Sequence, residues 1–354
     1  MSLVDEVHAV RNAAGLCDGG RIVCARVSGP GAQEALDRVS PRELFVRSGQ
    51  MLHTLLLDDA ARPLADVYVC CDEEDYLVVA EGLDGPALAG YLRGHAASLD
   101  VEVTDLSGSH AFLCLNGPYA WEVLAELTSP DVIGLPYLGF FHEGRFTCFR
   151  GGKAGEYGYD LMVERARLDG LRAAILDAGR RFDLATISQP ALALCGLENW
   201  TFDVWSEARE GLTPIELQLQ WRVSYGRSFP GSDALAIRRR EVDRRAVLVA
   251  ADAPLEADAR VELDGDAVGT LLRAGRSYTR GDWLAVALLE RGVAHAGLDG
   301  FHCQTAAGAV ALRTLSAPAI NNRSLYVDPQ RHSYLTRDQD SFPPLLAQLR
   351  RLGS

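Results

Sequence analysis

The sequence predicts an α+β protein that continues into a small all-β domain. Two features of the hydrophobic pattern carry this. Over residues 1–240, short strand-like runs are mixed with segments whose apolar residues recur at helical spacing. From Ala246 onward, short apolar runs alternate with polar turns, the texture of a compact β domain. Between the two lies Arg238-Arg-Arg-Glu-Val-Asp-Arg-Arg245, a charge-dense stretch that reads as a solvated connector. We therefore expect one region over 1–240 and a second over 241–354, in keeping with the two or three domains that 354 residues suggest.

Taken in order, residues 32–39 place Ala32, Ala35, Leu36 and Val39 on one helical face. Residues 50–57, 66–71 and 75–79 read as strands, with Asp58-Asp59-Ala-Ala-Arg-Pro63 as the turn between the first two. Two more short strands follow over 101–106 and 111–115. Gly117-Pro118 then opens a helix expected to run through Leu127, because proline suits the first helical turn. Strands over 146–149 and 159–163 flank a glycine-rich turn. Residues 168–178 are helical, as are 189–199, where Pro190 again fits a helix start. In the last third, strands are expected over 246–250, 260–263, 267–272, 283–289 and 309–312.

The chain carries 48 Asp and Glu against 35 Lys and Arg, a net charge of −13. Such a surface has no favourable long-range field for nucleic acid or an anionic membrane. No apolar run approaches the ~20 residues of a membrane span. The acidic start Met1-Ser-Leu-Val-Asp-Glu6 lacks a secretory pattern, so a cytoplasmic location is expected. The eight cysteines form no C-x-x-C pair and mostly lie in apolar runs, so they read as buried thiols. His302-Cys303 has no second ligand pair at zinc spacing, and no metal is expected.

Three segments carry chemistry. Asp66 opens the apolar run Asp66-Val-Tyr68-Val directly after a turn. A carboxylate in such a strand must be paired or near water. It can then act as an acid, a base or a stabiliser of positive charge, or simply be satisfied by turn amides. The loop Arg150-Gly-Gly-Lys153-Ala-Gly-Glu156-Tyr-Gly-Tyr-Asp160 lets backbone approach a ligand closely. It fits neither a Walker loop nor a dinucleotide fingerprint. It also holds Lys153, the one lysine among the 35 basic residues, which can bind an anion or, if desolvated, act as a nucleophile. The third segment runs from Gly196-Leu-Glu198-Asn-Trp200 through Thr213-Pro-Ile-Glu216 to Trp221, with aromatics and carboxylates around a proline turn.

In order and spacing these pieces resemble the glycine-cleavage T-protein family, the tetrahydrofolate-dependent aminomethyltransferases. Ala9-Val-Arg11 through Gly15-Leu-Cys-Asp18 is similar to the family's A-V-R-x-x-x-G-M-F-D. Val27-Ser-Gly-Pro-Gly-Ala32 matches V-x-G-P-x-A, and Leu55-Leu-Leu-Asp58 with Asp66-Val-Tyr-Val69 matches M-L-N, a turn, then D-D-L-I-V. Leu115-Asn-Gly-Pro118 is similar to Q-G-P, and residues 151–161 follow T-G-Y-T-G-E-D-G-F-E-L in length and glycines. Leu197-Glu198, Thr213-Pro-Ile-Glu216 and Ser228-Phe229 through Ala234-Leu235 match L-E, T-P-x-E and F-x-G-x-x-A-L.

The resemblance implies a three-part cloverleaf around a central folate channel. Two interleaved α+β subdomains would fill 1–240, and a β-barrel would fill 241–354. It implies that Asp66 is the catalytic carboxylate and that Asp160 holds the pterin, whose adjacent ring N–H and amino donors suit a carboxylate. His53, Tyr68, Glu156, Tyr137 and Glu198 are implied as further cofactor contacts. Lys153 would face the reacting carbon or an anionic substrate group. The cofactor implied is tetrahydrofolate, as its 5-methyl or 5,10-methylene form. Departures from the pattern point to a small-molecule substrate and away from docking of a lipoyl carrier protein: Ala65, His53, Lys153, Leu192 and Ala80 stand where the family has Asp, Tyr, Tyr, Arg and Asn. A depressed Lys153 performing folate-independent amine or carbonyl chemistry is one alternative, and a non-catalytic folate-binding accessory protein is another. The cysteine of the accessory branch's K-G-C-Y-x-G-Q-E motif is absent from Asn199-Trp-Thr-Phe-Asp-Val-Trp-Ser-Glu207.

Overall fold

A turn built by its own side chain starts the first sheet. Asp58 Oδ1 accepts the amides of Ala60 and Arg62 at 3.0 and 2.8 Å and reverses the chain between Met51–Leu57 and Pro63–Asp72. The two strands pair antiparallel with His53 opposite Tyr68 and Leu55 opposite Asp66. Asp75–Glu81, Val23–Ser28 and Glu102–Asp105 complete a five-stranded sheet in that order. This is a computed structural model, and it describes residues 1–305 and 308–337 together with the backbone of Leu346–Ala347.

A second sheet has six strands, in the order Ala185–Thr186, Gly15–Asp18, His110–Asn116, Gly158–Glu164, Phe146–Gly151 and Phe140–Glu143. The first pair is parallel and the rest antiparallel. The five-stranded sheet is thus inserted between two neighbouring strands of the six-stranded one. Helices Ala32–Val39 and Gly85–Ala96 cover the outer face of the first sheet through Leu36, Val39, Leu88 and Leu92. Leu168–Gly179 and the short Ala120–Ala125 cover the outer face of the second. The inner faces meet through Tyr68, Cys70, Leu77, Phe112, Phe149 and Met162. Because alternate residues point to opposite faces, Asp66 shares the inner face with Tyr68 and Cys70.

The third part is a closed barrel of six strands, in the order Arg244–Ala251, Trp283–Glu290, Asp266–Arg276, Arg260–Leu263, Phe301–Thr305 and Gly308–Leu315. Two sheets face each other and a barrel stands beside them, as the cloverleaf expectation requires.

Several local expectations change. The helix after Pro118 spans only Ala120–Ala125. The charged stretch at 238–245 is not a connector throughout. Arg238 to Glu241 close the helix Ser232–Glu241, where cations suit the C-terminal end of the dipole, and Arg244–Ala251 is already strand. The helix Leu3–Asn12 was not expected, although Ser2 and Asp5 form a capping box at its start. Nor was the strand Phe301–Thr305. It puts Cys303 inside the barrel and His302 outside, so the two do not share a ligand face. All eight cysteines are buried and free.

A buried ion pair ties the parts together. Arg11, 1% exposed, donates from Nε and Nη2 to Glu198 Oε2 at 3.0 and 2.8 Å. It also donates to the carbonyls of Ala154 and Cys195 and to Asn322 Oδ1. Glu198, closing the helix Gln189–Glu198, accepts Ser277 Oγ and Thr279 Oγ1 from the barrel at 2.6 and 2.9 Å. Glu156 accepts the amides of Arg323 and Ser324 at 3.1 and 2.8 Å and Ser324 Oγ at 2.6 Å. With their lone pairs committed to the protein, Glu198 and Glu156 anchor the structure and do not face a ligand, a correction to the cofactor contacts expected of them.

Arg11→Met leaves Glu198 buried without its cation and is expected to lower unfolding free energy by ~3–5 kcal/mol. Urea unfolding measures this. The double variant Arg11→Met, Glu198→Leu should lose less than the sum of its single variants. An unshifted midpoint for Arg11→Met would contradict the anchoring role.

Candidate active site

Asp66 is 4% exposed and is the centre of a charged cluster. Its Oδ1 accepts from Arg222 Nη1 at 2.6 Å and pairs with His53 Nε2 at 2.7 Å. Its Oδ2 lies 3.4 Å from Lys153 Nζ and has no hydrogen bond. Burial alone would raise this carboxyl. Arg222, His53 and Lys153 outweigh burial and hold it well below the ordinary carboxylate range. Burial lowers the His53 pKa despite the neighbouring carboxylate, so the ring is neutral at pH 7 and Nε2 carries the proton it shares with Asp66. His53 also stacks on Tyr68, with ring centroids 4.4 Å apart, and meets Trp221 edge-on at 6.1 Å.

The glycine-rich loop delivers Lys153 to this cluster. At Gly152, φ is +91° and a Cβ would come within 2.8 Å of Gly158 Cα, so only glycine fits. The loop is pinned on both sides of the turn: Thr201 Oγ1 donates to the Lys153 carbonyl at 2.8 Å, and Arg11 holds the next carbonyl, of Ala154. The Lys153 side chain, 21% exposed, crosses to the other sheet and meets Glu81 Oε1 at 2.9 Å. Burial would depress the amine. Glu81 and Asp66 outweigh burial and push its pKa above the ordinary lysine value. The depressed Lys153 required for free-amine chemistry is therefore corrected: two carboxylates keep the ammonium charged.

Opposite Asp66, the six-stranded sheet presents Asp160 and Asn116. The register sets Asp160 beside Cys114 and Asn116 beside Gly158, all on the inner face. Burial raises the Asp160 carboxyl to about 6, against a lowering hydrogen bond from the Cys114 thiol. Among the described residues it has no ion-pair partner. Asp66, Tyr68, Glu81, Lys153, Asn116 and Asp160 line one cleft with about 560 Å³ of empty space, its open mouth included. Past Arg21, Glu81, Lys153 and Gln189 the cleft continues to Thr201, Asp203 and Arg273 at the barrel side.

The structure thus brings Asp66, Lys153, Tyr68 and Asp160 to one cleft. His53 stands behind Asp66 and does not line that cleft. Tyr137 is 61% exposed, on the loop leading to Phe140–Glu143, with its hydroxyl in hydrogen-bonding reach of Tyr68. Sequence reasoning missed Arg222, Glu81 and Asn116. Arg222 follows Trp221 directly and its guanidinium lies 4.8 Å from that ring's centroid, so a Trp-Arg pair after the proline turn was the available signal. That turn closes on itself: Glu216 accepts Thr213 N and Oγ1 at 2.9 and 2.5 Å.

Two interleaved sheets, a closed barrel and a charged cleft between the sheets define an aminomethyltransferase-type architecture. The profile of the GCVT N-terminal domain matches residues 1–227, and the chain belongs to that family, the glycine-cleavage T-proteins. It is 25% identical over 300 residues to the aminomethyltransferase of Thermotoga maritima, covering 82% of each chain. To that of Saccharopolyspora erythraea it is 27% identical over 304 residues, 82% of this chain and 83% of the relative. It shares its fold with the crystal structure of the glycine cleavage system aminomethyltransferase T from Bartonella henselae. That match has a TM-score of 0.83 at 22% identity and covers 90% and 89% of the two chains. Among the described residues no helix is long and apolar enough to cross a membrane.

Lys153 is the one lysine, so its reactivity can be read without interference from another. Borohydride trapping with a small aldehyde at pH 7.5 should leave it unmodified over times that fully label an exposed lysine, as judged by peptide mass mapping. Rapid labelling would restore the free-amine alternative.

Proposed function

We propose that this chain transfers a one-carbon unit between tetrahydrofolate and a small-molecule metabolite, with the folate in its 5-methyl or 5,10-methylene form. The observation that carries this is Asp160, a buried carboxyl on the cleft wall with a thiol as its hydrogen-bond partner and no ion-pair partner among the described residues. Such a group is costly to ionise unless a ligand supplies donors. The pterin's adjacent ring N–H and amino group supply two, so the residues present fit the cofactor. That the aminomethyltransferase relatives align over most of this chain supports the same reading.

When bound, tetrahydrofolate supplies the nitrogen that carries the one-carbon unit. The chain's own residues supply binding and charge. Asp160 holds the pterin, Tyr68 contributes its buried ring, and Asp66 stabilises positive charge developing beside its Oδ2, which accepts no hydrogen bond. With its pKa driven so low, Asp66 stays a carboxylate and does not deliver a proton. Lys153, oriented by Glu81, presents an ammonium to an oxygen or anionic group of the substrate. We assign pterin binding to the region 1–240, with the barrel region 241–354 closing the cleft's far side. An N- or O-methylated catabolite, or a specialised metabolite, suits an ammonium at this position better than a carrier-bound aminomethyl group does. We place the reaction in the cytoplasm.

Calorimetry with 5-methyltetrahydrofolate at pH 7.5 tests the cofactor. Absence of binding at high micromolar concentration would sink the proposal. Because the Asp160 pKa is about 6 in the free protein, affinity should weaken as pH falls through 6 and level off above 7. Asp160→Asn should weaken binding and flatten that profile. The contribution of Asp160 to folding stability runs the other way, rising as pH drops from 6 towards 4, because the folded carboxyl takes up its proton before the unfolded one; it is read as the difference between the parent and Asp160→Asn.

Asp66→Asn should retain folate binding and lose about 10²–10³-fold in turnover. Formation of 5-methyltetrahydrofolate from tetrahydrofolate and a panel of N- or O-methylated small molecules, or of 5,10-methylenetetrahydrofolate from a panel of aminomethyl donors with release of ammonia, is the assay. A pH–rate profile whose acid limb disappears in Asp66→Asn would instead assign proton transfer to Asp66.

A further inference from the structure

The cleft holds a second polar group that the protein leaves unused. Asn116 is 1% exposed and borders the cleft, and among the described residues neither its Nδ2 nor its Oδ1 has a hydrogen-bond partner. A buried carboxamide with both ends unpaired is uncommon, since each end costs free energy when it is cut off from water. Local structure does not explain it. Asn116 ends the strand His110–Asn116, and its register partner is Gly158, which has no side chain to offer. The glycine-rich loop packs closely against it and leaves no room for a side chain of its own: a Cβ at either Gly152 or Gly158 would fall 3.0 Å from Asn116 Oδ1. Two glycines therefore make room for an amide that has nothing to bind among the described residues.

The register places this amide diagonally across from Asp160 on the same face of the same sheet. Diagonal neighbours on one face are within reach of a single flat ligand. The two groups differ in what they read. A carboxylate accepts two donors, whereas a carboxamide offers one donor and one acceptor side by side. The edge of a tetrahydropterin carries such a series: ring N3–H and the 2-amino group are donors, ring N1 is an acceptor and N8–H is a donor.

We propose that Asn116 is a specificity-determining residue for the heterocycle, with its Nδ2 donating to ring N1 and its Oδ1 accepting N8–H while Asp160 takes the first two donors. This rests on the folate reading above. It adds that the cleft selects a reduced pterin, because N8–H is present in the tetrahydro ring and absent from the fully oxidised one. The amide is a positioning group and takes no part in bond making.

The test uses the full chain and stable probes. Asn116→Leu keeps the number and branching of the side-chain heavy atoms and removes both polar ends. Thermal unfolding of the free variant should show a midpoint equal to or above that of the parent, because an unpaired amide has been removed. Calorimetry should show at least a tenfold loss of affinity for 5-formyltetrahydrofolate. The 8-deaza analogue, which lacks N8–H, should bind the parent more weakly than 5-formyltetrahydrofolate does, and the Asn116→Leu variant should no longer distinguish the two probes. Asn116→Gln should recover part of the affinity.

A variant that unfolds earlier yet binds the folate as tightly as the parent would overturn the proposal and give the amide a structural role through an internal water. So would equal discrimination against the 8-deaza probe by parent and variant. If the parent binds no folate, the cofactor reading itself has failed. If the parent binds and Asn116→Leu binds equally well, only this inference has.

Discussion

The buried pair of Arg11 and Glu198 is the constraint on which the cleft depends. The two residues are 187 positions apart, on helices that precede and follow the six-stranded sheet's main strands. Through Ala154, Asn322, Ser277 and Thr279 they fasten the glycine-rich loop to the barrel and to the segment beyond it. A loop with four glycines in eight residues has high conformational entropy when free. Pinned at the carbonyl of Ala154 and through Glu156, it can hold a lysine at a defined place between two sheets. The placement of Lys153 beside Asp66 therefore rests on an ion pair that does not line the cleft.

Within the cleft the two walls carry opposite electrostatic logic. On the five-stranded side, Asp66 and Glu81 face Arg222 and Lys153, so two carboxylates are matched by two cations and His53 is neutral. Each charge there is held by its neighbours, which suits stabilising a developing charge without moving protons. On the six-stranded side, Asp160 and Asn116 are buried, and the charged donors of the opposite wall are committed elsewhere. Those two groups gain most from a ligand with its own donors and acceptors. One wall is complete in the free protein, whereas on the proposed function the other is completed by the ligand.

Much of the architecture was legible in order and spacing. The strands around the 58–63 turn, the helix 32–39, the strand pair flanking the glycine loop and five of the six barrel strands follow from hydrophobic period and turn chemistry. The sixth, Phe301–Thr305, escaped because it is a short strand whose buried residues are only Phe301 and Cys303. The helix Leu3–Asn12 escaped although its capping box was readable. At the site, Asp66 stood out as a carboxylate in an apolar run and Lys153 as a lone cation in a glycine loop. Glu156 and Glu198 were misjudged for a consistent reason: a conspicuous acid near a motif shows nothing of which way it points or what satisfies it.

The sequence by itself determined the succession of strands and helices, the glycine loop, and which few residue types could do chemistry. Those properties are local, because hydrophobic period and turn preference act over a handful of residues. Only the tertiary structure decided their state. Asp66 became a locked carboxylate because Arg222, 156 residues away, meets it at 2.6 Å. Lys153 became a fixed ammonium because Glu81 reaches it from the other sheet. Among the described residues Asp160 has no ion-pair partner and Asn116 no hydrogen-bond partner for its amide, because the register sets them beside Cys114 and Gly158. Desolvation and charge pairing act between groups that the chain brings together, so they are decided only once the chain is folded.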